Sequence, residues 1–134
     1  MAYIKYKELA QYFNFNKELD LNALPDFVKQ FITVDETPLI AYATVKDKFI
    51  LTNKKIILFD VRGFISYDTK RIHVFPFNSI SSTAIEFGAN KVSIFLSLDS
   101  GYQVRLNFIK MSSQNKTRLR EVYMTLVNYI TNAK

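Results

Sequence analysis

The side chains able to carry chemistry are few. The sequence holds one histidine, His73, and no cysteine. Without thiols there is no thiolate nucleophile, disulfide or thiolate-bound metal; a single imidazole makes a His-based zinc site improbable and leaves a Ser-His-Asp relay only His73 to rest on. His73 alternates with Ile72 and Val74 in what reads as a strand, so it faces away from them. A carboxylate pair needs two acids converging in a cleft. Asp47, Asp60, Asp68 and Asp99 fall instead in turn sequences, where aspartate favours the turn itself, and Asp35-Glu36 reads as solvated linker. Only three glycines are present, with no G-x-x-x-x-G-K or G-x-G-x-x-G spacing to cradle a phosphate. No catalytic, cofactor-binding or metal-binding residue is therefore expected, and the chain does not read as an enzyme.

Charge is the remaining resource. Lys and Arg number 18 against 12 Asp and Glu, a net +6. The densest basic stretch is Lys46, Lys48, Lys54, Lys55, Arg62, Lys70 and Arg71 against Asp47, Asp60 and Asp68. Such a field favours anionic partners, a phospholipid headgroup or a nucleic acid. The plainer reading is that turn and edge-strand lysines keep a β protein from pairing edge to edge. Nucleic-acid binding would need bases stacked on exposed rings, with Tyr67, Phe75, Phe77 and Phe95 as candidates. No recognition-helix or RNA-binding strand signature accompanies them, so this partner is not favoured.

The elements that would position these residues form three zones. Residues 1–34 read as a helical leader. Leu9, Tyr12 and Phe13 share one helical face, and Asn22 is placed to cap a second short helix carrying Phe27, Val28, Phe31 and Ile32. Residues 38–108 read as about seven short strands broken by Asn-Lys, Asp-Thr and Gly-containing turns. The clearest is a hairpin in which Val92, Ile94, Leu96 and Leu98, then Tyr102, Val104, Leu106 and Phe108, alternate with polar residues across Asp99-Ser100-Gly101. Phe95 lies on the polar side of that hairpin and, with Phe27 and Phe31, is a candidate interface residue. Residues 112–132 read as a helix capped by Ser112 or Ser113. Leu119, Val122, Tyr123, Leu126, Val127 and Ile130 form its apolar stripe.

Strands followed by one amphipathic helix predict a mainly β fold: a seven-stranded antiparallel barrel, or two packed sheets, closed by that helix. Short motifs in order then add a family. They are Lys46-Asp47 before an apolar strand, Leu51-Thr52-Asn53-Lys54-Lys55-Ile56, Asp60-Val61-Arg62-Gly63, Pro76-Phe77-Asn78-Ser79-Ile80 and Glu86-Phe87-Gly88. Over Val45 to Phe108 this pattern resembles the bacterial pleckstrin-homology (PH) domains. It differs in having Lys for Arg at Lys46 and Lys55, and Phe64-Ile65-Ser66-Tyr67 after Gly63. The resemblance implies a PH-like barrel-plus-helix fold, expected here over 35–134 behind the 1–34 extension, and self-assembly, often as rings; it does not imply catalysis and gives no settled ligand. It also points to the junction of the first two PH strands, where phosphoinositide-binding eukaryotic relatives carry a longer basic loop than Lys46-Asp47-Lys48.

The favoured function is thus a non-catalytic interaction module whose partner is a second copy of itself, forming a homo-oligomer, or another protein. The alternative is weak binding to an anionic membrane through the basic turns. No apolar run approaches the ~20 residues needed to span a bilayer, and the N-terminus alternates charge with tyrosine instead of carrying a signal sequence. A cytoplasmic location is expected.

Overall fold

The computed structural model of the chain describes residues 11–45, 47–62 and 69–133. Among them run β1 (Gln11–Phe15), β2 (Lys17–Glu18), α1 (Asp26–Lys29), β3 (Pro38–Ala43), β4 (Lys48–Thr52), β5 (Lys55–Arg62), β6 (Thr69–Pro76), β7 (Ile80–Phe87), β8 (Val92–Leu98), β9 (Gln103–Phe108) and α2 (Ser113–Asn132). The described strands form two sheets, ordered β2-β3-β4-β5-β6 and β1-β9-β8-β7. The chain divides into two compact units, Phe15–Pro76 and the residues on either side of it. No closed barrel forms among the described strands: β6 and β7 each end a sheet.

The described part of the leader, from Gln11 on, is not the helical segment that its apolar spacing suggests. Residues 1–10 lie outside the described residues, as does the Phe64-Ile65-Ser66-Tyr67 segment after Gly63. Gln11–Phe15 is a strand because its pattern has period two: Phe13 and Phe15 are buried and Asn14 is exposed. Asn22 sits inside a 3₁₀ turn, Leu21–Ala23, whose cap is Asp20, with Oδ1 accepting the Asn22 amide at 2.9 Å. The second helix does exist, but as one turn starting after Pro25, with no side-chain cap.

In the unit Phe15–Pro76, β4 and β5 are buried on both faces, which is why Ile56 to Phe59 reads as an unbroken apolar run. One face presents Ala41, Ile50, Ile57 and Phe59, covered by Leu24 and Val28 of the α1 segment with Phe27, Phe31 and Ile32 around them. The other presents Phe49, Leu51, Ile56 and Leu58, all at most 1% exposed, with the Phe15 ring 5.9 Å from that of Phe49.

In the second unit the predicted hairpin is present. Val92, Ile94 and Leu96 pair with Phe108, Leu106 and Val104 and are buried, while Ser93, Phe95 and Ser97 pair with Asn107, Arg105 and Gln103 on the opposite face. Gly101 closes the turn at φ 91°, a conformation that favours glycine. Ser112 caps α2 in a capping box with Asn115, and Leu119, Val122 and Leu126 form its buried stripe, as the spacing predicts.

Candidate functional site

The basic residues singled out in the sequence separate by strand register. Lys48 stands opposite Phe59, and Lys70 and Arg71 stand opposite Val61 and Asp60, so these three share one end of the five-stranded sheet. Arg62 ends β5 on that side, and Lys46 lies outside the described residues. Lys54 and Lys55 occupy the β4–β5 turn at the far end. The structure therefore does not bring the seven together.

Lys54 and Lys55 are committed within the chain. The Lys54 ammonium contacts Asp35 at 2.6 Å, and the Lys55 ammonium contacts Glu36 at 2.5 Å. Around these two pairs, the loop from Thr33 to Thr37 clamps the Thr52-Asn53-Lys54-Lys55 turn. Asn53 and Thr37 exchange bonds: the Asn53 amide donates to the Thr37 carbonyl at 3.1 Å, and the Thr37 amide to Asn53 Oδ1 at 2.9 Å. Thr52 Oγ1 accepts the amides of Lys54 and Lys55 at 3.0 and 3.1 Å and donates to the Glu36 carboxylate. The Thr33 amide also donates to Glu36, at 3.0 Å, and the Thr33 hydroxyl donates to Asp35 at 2.9 Å.

Glu36 is thus no solvated linker residue; its side chain is fully buried. Burial pushes its carboxyl up, but the hydrogen bonds from Lys55, Thr52 and the Thr33 amide, with the Lys55 charge, outweigh it and hold the group below the ordinary 4.5. Asp35 is exposed, and its hydrogen bonds with Lys54 and Thr33 lower it from 3.8 to about 2. The signal that could have found the clamp is the match of an acidic pair, 35–36, with a basic pair, 54–55, at the two ends of the β3–β4 hairpin.

The other end of the sheet is held differently. The Thr44 amide donates to the Asp47 carbonyl at 3.0 Å and the Asp47 amide to Thr44 Oγ1 at 3.2 Å, while Asp47 Oδ1 accepts the Val61 amide at 3.3 Å. That turn holds Val45 out at 87% exposure. Phe27 and Phe31 are half-buried: their rings lie 5.6 and 5.7 Å from that of Phe59, and the Lys70 ammonium stands 4.6 Å over Phe27. Phe95 is half-buried beneath the Arg105 guanidinium, 5.1 Å from the ring. His73 is half-buried and stacks on Phe75 at 5.9 Å. Among the described residues no three His, Asp or Glu side chains group to hold a metal, and no helix is long and apolar enough to cross a membrane.

Two antiparallel sheets followed by one C-terminal helix, with these turn motifs, are the elements of the PH-like fold. The family model for the bacterial PH domain matches residues 9–130, and the chain belongs to that family. It is not an enzymatic family. Among solved structures, a DUF1696-family protein with a pleckstrin-homology domain from Shewanella loihica PV-4 is similar at 21% identity with a TM-score of 0.70, covering 87% of this chain and 98% of that one. A pleckstrin-homology domain from Shewanella amazonensis SB2B is similar at 20% identity and TM-score 0.59, covering 84% and 89%. A PH-domain-containing protein from Exiguobacterium sibiricum 255-15 is similar at 14% and 0.62, covering 85% of this chain and 61% of the other. At these identities the likeness concerns the fold alone. No curated protein matches the chain.

Proposed function

We propose that the chain is a non-catalytic PH-like interaction module that associates with copies of itself. The observation that carries this reading is apolar area left at the surface. Val74, Phe87 and Met124 are 45%, 46% and 56% exposed, in a chain whose acidic pair Asp35-Glu36 and basic pair Lys54-Lys55 are spent on each other. Phe and Met are enriched in the buried cores of interfaces. Association through them resists salt, whereas charge-driven association is screened. Light scattering behind size exclusion tests it. The expected result is a discrete mass that is a multiple of 15.6 kDa at both low and high salt. A monomer at both salts refutes it.

A second reading, contact with anionic membranes, draws on Val45. An apolar tip in a hydrogen-bonded turn, followed by Lys48 and at the sheet end that also holds Lys70 and Arg71, suits a surface with an apolar interior and a negative face. Each basic residue near such a surface contributes ~1 kcal/mol. Co-sedimentation with phosphatidylserine vesicles that falls with salt, against none with phosphatidylcholine, supports it; equal pelleting with both vesicles refutes it.

A further inference from the structure

Ala41, Ile50, Ile57 and Phe59 form one face of the five-stranded sheet, and the chain from Asp20 to Glu36 crosses it without joining a strand. The backbone bonds of this cover are local. The Ala23 amide donates to Asp20, those of Val28 and Lys29 to Pro25, Gln30 to Asp26, Phe31 to Val28 and Ile32 to Lys29. Among the described residues, no hydrogen bond runs from residues 20–32 to the sheet beneath. Apolar packing holds them there, through Leu24 and Val28, with the Phe27 and Phe31 rings against Phe59 and the Lys70 ammonium over Phe27.

Both ends of the cover are tied to the sheet. On one side the Leu19 amide donates to the Ala41 carbonyl at 2.8 Å. On the other, Thr37 exchanges its two bonds with Asn53. Between those points the buried side chains are Leu24, Val28 and Glu36, and Glu36 is the polar one. It reaches Lys55 and Thr52 on the sheet while also accepting the Thr33 amide. The neighbouring Asp35–Lys54 pair is exposed and adds little. Detaching the cover leaves the opposite sheet face intact, where Phe49, Leu51, Ile56 and Leu58 are buried with Phe15. A segment with few buried side chains and only local backbone bonds is the kind that opens short of global unfolding.

We propose that residues 20–36 are a latched strap: they open as a unit from a sheet that stays folded, and the buried Glu36–Lys55 pair is the latch that holds them closed. Closed, the pair is withdrawn from water and each charge satisfies the other. Open, both charges are hydrated. Neutralising one partner therefore strands the other in the closed form alone and shifts the balance toward opening. The motion turns Ala41, Ile50, Ile57 and Phe59 from core into surface. It lies within the Phe15–Pro76 unit and is independent of the self-associating reading above.

Native-state hydrogen exchange of the full chain in low denaturant tests this. The amides of Val28, Lys29, Gln30, Phe31 and Ile32 report the strap, and those of Ile50, Ile57 and Leu58 report the sheet. Corrected for intrinsic rates, the strap amides are expected to exchange about tenfold or more faster than the sheet amides, with a weaker dependence on denaturant. Glu36→Gln is expected to speed the strap amides roughly tenfold, the scale of a hydrogen bond to a charged group. Lys55→Met has the same expected effect and serves if Glu36→Gln does not fold. Leu58→Val trims one methylene from the opposite face, which stays packed when the strap opens. It is expected to speed the sheet amides roughly fourfold and to leave the strap amides unchanged. If Leu58→Val moves strap and sheet amides by the same factor, the strap has no opening of its own and the proposal is overturned. If the latch variants fold and the strap rates do not change, the Glu36–Lys55 pair is not the latch.

Discussion

Glu36 is the residue on which the clamp converges. Its carboxylate takes hydrogen bonds from Lys55, Thr52 and Thr33 in a site closed to water. Removing the charge leaves the half-buried Lys55 without its counter-ion, so Glu36→Gln is expected to cost ~2 kcal/mol, the scale of a hydrogen bond to a charged group. Thr52→Val, which strips the hydroxyl that also receives two turn amides, should cost about the same. The pH dependence has a fixed sign. Glu36 is lowered in the folded state, so its stabilisation is complete above the ordinary value of 4.5 and is lost as pH falls through the lowered one. Asp35 behaves likewise between 3.8 and about 2. Denaturant melts at pH 7, 5, 4 and 3 check this. The native chain loses stability below about pH 4.5, and Glu36→Gln shows a shallower loss. An equally steep loss in that variant would place the titrating group elsewhere. Asp35→Asn, on an exposed pair, should change little at neutral pH.

At the scale of elements, α2 is the best-specified piece. Ser112→Ala removes the accepting oxygen from the Asn115 amide and should cost ~1 kcal/mol, and Leu119→Ala, at a fully buried position, roughly 2–5 kcal/mol. Chemical denaturation of each variant reads both, and equal losses from the two would contradict the burial difference between cap and stripe. These features are legible because local patterns decide them: a Ser cap, a 3.6-residue stripe, and the period-two hairpin around Gly101. The leader is not legible, because Phe13 fits a helical face with Leu9 and Tyr12 and a strand face with Phe15 alike, and a sheet partner some ninety residues away, β9, decides between them. Glu36 escapes a sequence reading for the same reason. Nothing near Asp35-Glu36 shows that Lys54-Lys55 waits across a β-strand. The Thr-Asn-Lys-Lys motif is visible, but alone it reads as charge available to an outside anion, whereas its lysines are paired within the chain.

For the whole molecule, folding and association carry separable signatures. A chain that associates in the folded state gains stability by mass action, so its thermal midpoint rises with protein concentration. The two proposed centres then act on different parts of one curve. Glu36→Gln disturbs a clamp inside the Phe15–Pro76 unit and leaves Phe87 and Met124 untouched, so it should lower the midpoint at every concentration and keep the slope. Phe87→Ser with Met124→Ser changes two exposed apolar side chains, so it should flatten the slope and leave the dilute-limit midpoint largely in place. Scanning calorimetry over a hundredfold concentration range distinguishes them. A slope that survives in the double variant would move the contact off those two residues. A slope lost in Glu36→Gln would mean that the clamp and the association surface are one cooperative element.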